Sequence, residues 1–262
     1  MSKKPSLFPK EHGAYAELAF PLITGLALAA PSLSALALGG AAVMLFLLNE
    51  PVAILLGARG KRLKDQLGDR AAQRASFLLG GATGLGLLGL WKGGREIWPE
   101  LAYPMAAAAL LLPMVLRGKQ KTLFGEFVVV TAFATLLLPL AAASGADPRR
   151  AGAAAAVWWL SFALGTLEVH AIKARLKDTA KSQWTRWGSP VAAGSVSVGA
   201  ALLAPGQGGL PQLAGPAAAL LLPAVAIFAL SLIRVHPRRL KRVGWTLVGA
   251  NTVALVLLLQ GG

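Results

Sequence analysis

Residues 33–57 read LSALALGGAAVMLFLLNEPVAILLG, with no charge until Glu50. This run decides the class of fold. About 20 consecutive apolar residues cross a bilayer as a helix. The run is longer than a simple crossing needs, and it carries Asn49, Glu50 and Pro51 near its end. Proline removes a helix hydrogen bond and tends to kink the chain. It also biases its predecessor away from helix. A polar pair at a broken helix within hydrocarbon is a typical place for a site. The apolar residues are continuous rather than alternating, which points to helices and away from a strand barrel.

The same ruler, moved outward, finds apolar spans at 13–30, 33–57, 75–91, 98–116, 123–145, 151–173, 190–205, 213–233 and 244–260. Composition agrees. The 262 residues are 55% hydrophobic and 14% charged, against about 25% charged in soluble domains. The basic, polar start resembles a signal peptide, but Glu11 and Glu17 interrupt that pattern and further spans follow, so an uncleaved first span is expected. The expected architecture is all-α: one domain over 1–262, about nine transmembrane helices in one bundle, with 1–12 as a cytoplasmic segment.

The formal net charge is +15. The basic residues lie in short loops between spans, which favours the positive-inside rule over nucleic-acid binding. With the N-terminus inside, only Lys92, Arg95, Arg149 and Arg150 of the 26 Lys and Arg fall outside. That bias places the N-terminus in the cytoplasm and the C-terminus outside. The absence of cysteine excludes a disulfide scaffold, a Cys-ligated zinc site and thiol catalysis.

Four glutamates, Glu17, Glu50, Glu126 and Glu168, fall within or at the edge of spans. In this topology all four lie in the cytoplasmic half, about 7–12 Å of helix rise from the inner boundary. Carboxylates in a membrane usually face a bundle interior or a wet cavity, although snorkelling to the headgroups is the plainer reading, chiefly for Glu126. A cytoplasm-facing cavity is expected from Glu17, Asn49, Glu50 and Glu168, with His12, Glu126 and His170. No HExxH-type spacing supports a tight transition-metal site.

Two inside loops mix acids with bases, GARGKRLKDQLGDRAAQR and KARLKDTAKSQWTRW. Asp65 and Asp69 are i, i+4 and would share a helix face. Such carboxylates can hold Mg²⁺ through substrate phosphates while Lys and Arg neutralise a diphosphate. Solvated, salt-paired loops are the simpler alternative.

Pro9, Lys10, His12, Gly13, Ala14 and Tyr15 match the Pro-Lys-x-His-Gly-Ala-aromatic run that opens the YwiC-like family of bacterial membrane proteins. The chain resembles that family over this motif and in its hydropathy. The resemblance implies a bacterial inner membrane location and carries no established activity. The architecture also resembles the UbiA superfamily of intramembrane prenyltransferases, which bind prenyl diphosphate through Mg²⁺ with two Asp-rich motifs. Asn49-Glu50 stands at the start of the first, with Ala53 and Gly57 at its later acidic places. Lys177-Asp178 matches the second, with Lys181 replacing the next acid. That resemblance implies Mg²⁺ on Glu50 with Asp65, Asp69 or Asp178, and phosphate oxygens on Lys61, Arg62, Arg175 and Lys177. The implied activity is binding or transfer of an isoprenoid or lipid phosphate. The alternatives are a proton- or cation-coupled carrier using the same carboxylates and an inert membrane scaffold.

Overall fold

In hydrocarbon every backbone N–H and C=O must be satisfied within the chain, and uninterrupted apolar runs do this as helices. The computed structural model describes residues 6–9, 12–174, 180–203, 211–233 and 240–260, and among these it contains helices and no strands. The helices are α1 (His12–Ala27), α2 (Leu33–Leu55), α3 (Lys61–Gly93), α4 (Ile97–Leu116), α5 (Leu123–Thr135), α6 (Leu137–Ala143), α7 (Pro148–Ala174), α8 (Ala180–Leu203), α9 (Pro211–Ile233) and α10 (Leu240–Gln260). Six stretches are long and apolar enough to cross a membrane: α2, α4, the α5–α6 pair, α7, Ala214–Ile233 in α9, and α10. Gly13–Ala27 and Gly188–Leu202 form shorter apolar helices. The chain is a multi-pass membrane protein.

Two features differ from the expected spans. The basic stretch read as a loop between spans two and three is helical from Lys61. Leu67 and Ala71 are buried there and pack with Ile54 of α2, so an apolar seam holds the polar helix in place. With 33 residues, α3 is about 50 Å long and outruns a hydrocarbon core of about 30 Å. The fifth span is broken at Leu136, where α5 ends and α6 begins.

α2 and α3 form a close antiparallel hairpin. A Cβ at Gly81 would lie 2.5 Å from Met44 Sδ, and one at Gly89 would lie 2.7 Å from Leu38 Cγ. Glycine at these positions lets the backbones approach, the usual device where lipid removes a hydrophobic drive between helices. Ser34 Oγ donates to the Gly89 carbonyl at 2.7 Å and fixes the register. Ser32 caps α2, accepting from the Ala35 amide, and Thr122 caps α5, accepting from the Gly125 amide.

α7 is the most buried of the six long spans and packs against α1, α5, α6, α8, α9 and α10. Trp158 is its centre, fully buried and stacked between Phe20 of α1 and Phe162 one turn on. Residues 6–9 fold back over the base of α3. Leu7 packs beside Leu67, the Arg74 guanidinium lies 3.9 Å from the Phe8 ring centre, and Tyr15 donates its hydroxyl to the Pro9 carbonyl at 3.1 Å.

Candidate functional site

Glu50 is 1% exposed at the end of α2. α2 stops in a Schellman turn: the Ala58 amide donates to the Ala53 carbonyl and the Gly57 amide to the Ile54 carbonyl. Gly57 and Gly60 take φ of 73° and 96°, which a residue with a Cβ rarely adopts. This double reversal returns Arg59 to Glu50. Arg59 Nε donates to Oε1 at 3.0 Å and Nη2 to Oε2 at 2.5 Å, a bidentate pair. Asn49 is the neighbour expected to share the cavity, yet it is exposed. Adjacent helical residues point about 100° apart, so burying Glu50 turns Asn49 outward.

A second polar centre flanks the C-terminal half of α7. His170 Nε2 lies 2.9 Å from Glu126 Oε2, joining α7 to α5. Glu168 is 0% exposed and accepts from Ser189 of α8 at 2.5 Å. Being two residues apart on a helix, Glu168 and His170 address different neighbours. The structure thus brings Glu126 and His170 together and gives Glu50 and Glu168 separate partners. Glu17 is half-buried on α1. His12 opens α1, and its side chain lies outside the described residues.

Toward the other end of α7 lie polar contacts that join it to α1, α5 and α10. Trp158 Nε1 donates to Thr24 Oγ1 at 2.9 Å, and Thr24 donates on to the Phe20 carbonyl. Trp159 Nε1 donates to Thr131 Oγ1 at 2.9 Å. Ser161 Oγ donates to Asn251 Oδ1 of α10 at 2.5 Å, and both residues are buried. Thr24 and Asn251 are polar residues within apolar runs, and Ser189 opens one. In hydrocarbon such groups turn to a carbonyl of their own helix or to a neighbouring helix, and that was the available signal.

Of the expected Mg²⁺ set, the described members Glu50, Asp65 and Asp69 form no three-carboxylate cluster. Both Glu50 oxygens are engaged by Arg59. Asp65 and Asp69 are exposed on the polar extension of α3, displaced from Glu50 because that stretch is helix rather than a folded-back loop. Among the described residues no three His, Asp or Glu side chains gather to hold a metal ion. Asp178, and the phosphate candidates Arg175 and Lys177, lie outside the described residues. Lys61 and Arg62 are exposed at the start of α3.

The family model for YwiC-like proteins matches residues 8–142, just over half of the chain. The chain belongs to the YwiC-like family. The matched region runs from Phe8 to the end of α6, so it includes the Glu50–Arg59 pair and Glu126. Glu168 and His170 stand beyond it on α7. No curated protein and no solved structure matches this YwiC-like chain.

Proposed function

We propose that this YwiC-like protein is a nine-span inner-membrane carrier that couples proton or cation movement to transport. Its N-terminus is cytoplasmic and its C-terminus outside. α1, the apolar part of α3 and the apolar part of α8 complete the nine crossings, in keeping with the one-sided distribution of Lys and Arg. The observation that carries the reading is Glu168. It is fully buried in a membrane-spanning helix with a hydroxyl on one oxygen, and the Glu126–His170 pair lies two residues along α7. Ionisable groups inside spans are costly, and they commonly mark ion and proton paths.

The test uses proteoliposomes loaded with a pH-sensitive dye and pulsed with Na⁺ or K⁺. Wild type is expected to exchange protons for one of these cations, and Glu168→Gln to abolish the exchange while inserting normally. If neither cation moves protons through wild type, the proposal fails.

A second reading is binding of an isoprenoid or lipid phosphate without a metal. It is favoured by the exposed Lys61, Arg62, Lys64 and Arg70 around the buried seam of α3. Farnesyl diphosphate should then raise the melting temperature of wild type but not of Lys61→Ala/Arg62→Ala.

A further inference from the structure

A groove of about 290 Å³ opens between α7, α8 and α9, at the opposite end of α7 from Glu168. Ala153, Ala156 and Leu160 form one wall, Val196 and Gly199 the second, and Leu220 part of the third. The α7 wall extends about 10 Å along the helix. Every side chain named is apolar, and all three helices contain membrane-length or shorter apolar stretches. An apolar cleft of this kind, among helices of a membrane bundle, suits a hydrocarbon chain.

What lies above the groove gives the occupant a headgroup. Arg149, Ala153, Ala156 and Leu160 follow i, i+4, i+7 and i+11, a single stripe along a helix. Arg149 stands at the second residue of α7, exposed, where the helix meets the membrane surface. The adjacent Arg150 is turned elsewhere: its Nη2 lies 3.4 Å from the Leu258 and Leu259 carbonyls, at the C-terminus of α10. Arg150 therefore serves the fold, while Arg149 stands in register with the α7 wall of the groove, its amide donating to the Asp147 carboxylate at 3.2 Å and its guanidinium making no bond among the described residues. A guanidinium presents a planar fork that suits phosphate oxygens.

The geometry points to a bound anionic phospholipid, with one acyl chain in the α7–α8–α9 groove and its phosphate on Arg149. A zwitterionic lipid carries its own cation beside the phosphate and gains less from the arginine. This site is independent of the transport reading, because it involves none of the carboxylates.

The test is native mass spectrometry of protein released from membranes of equal phosphatidylglycerol and phosphatidylcholine. Wild type is expected to retain one lipid, phosphatidylglycerol over phosphatidylcholine by about tenfold, the worth of a charge-assisted contact. Arg149→Gln should retain one lipid with that preference lost. Gly199→Phe should retain none, because a Cβ there has nothing within 4 Å and the ring would occupy the groove. Should Gly199→Phe fail to fold, Ala156→Leu on the opposite wall repeats the test. Equal retention of the two lipids by wild type, an unchanged preference in Arg149→Gln, or a full lipid load in the filled groove would each overturn the proposal.

Discussion

Replacing Arg59 with alanine removes the bidentate partner of Glu50. The guanidinium makes two bonds to Glu50, at 3.0 and 2.5 Å. Glu50 is 1% exposed, whereas Arg59 is 33% exposed. Removing one partner of a buried pair leaves an uncompensated charge and costs about 3–5 kcal/mol. Because Arg59 reaches water, solvent relieves part of that loss, and about 3 kcal/mol is the expected value for Arg59→Ala. At about 2–4 °C per kcal/mol for a chain of this size, melting should fall by about 6–12 °C. The assay is a thermal series in detergent read by fluorescence-detected size exclusion. The companion variant Glu50→Leu/Arg59→Leu removes both charges, and replacing a buried pair with apolar residues is often neutral. It should therefore melt closer to wild type than Arg59→Ala does. If Arg59→Ala stays within about 2 °C of wild type, or if the double variant is the less stable, Glu50 does not depend on Arg59 for its burial and the reasoning fails.

Trp158→Phe keeps the stack with Phe20 but loses the donor to Thr24, and should cost about 1 kcal/mol in an unfolding titration; Trp158→Ala should cost about 3–5 kcal/mol. Gly25→Val should destabilise by about 1–3 kcal/mol, since its Cβ would sit 2.9 Å from the Leu137 carbonyl oxygen, a backbone atom that has little room to yield. Asp65→Asn/Asp69→Asn alters exposed side chains and should change stability by no more than about 0.5 kcal/mol. Melting with and without Mg²⁺ checks the same pair: a Mg²⁺-dependent rise in wild type that the double variant loses would support the metal reading.

The helices were legible because hydrocarbon allows the backbone so few solutions. Leu33–Leu55 and Ile97–Leu116 fall almost where the runs 33–57 and 98–116 place them. The polar start of α3 was not legible by that rule. Leu63, Leu67 and Ala71 form a thin seam in a basic stretch, too sparse to register as a span yet enough to hold a helix against α2. Of the site, the sequence identified glutamates that are costly in a membrane, and two of them, Glu50 and Glu168, are nearly or fully buried. Their partners were harder to see. Arg59 reaches Glu50 only because Gly57 and Gly60 reverse the chain, and Ser189 meets Glu168 only through the docking of α8 on α7. Rotational phase decides such pairings, and phase depends on packing between helices that one chain does not print. Asn49 shows the cost of ignoring it: adjacency to Glu50 in sequence was read as a shared cavity, and the helix turns it away.

The position of α7 also bears on how the protein is made. Ribosomes deliver helices to the membrane in order, and the first six arrive with polar groups whose partners are still untranslated. Thr24 and Thr131 await the indoles of Trp158 and Trp159, and Glu126 awaits His170. Until α7 inserts, these groups have water, headgroups or insertion machinery as company, and α1, α5 and α6 lack the surface that gathers them. Biogenesis of the bundle therefore has a late, decisive step. A nascent chain arrested just after α7 would hold the partners of Thr24, Thr131 and Glu126, while Glu168 and Ser161 would still await Ser189 of α8 and Asn251 of α10.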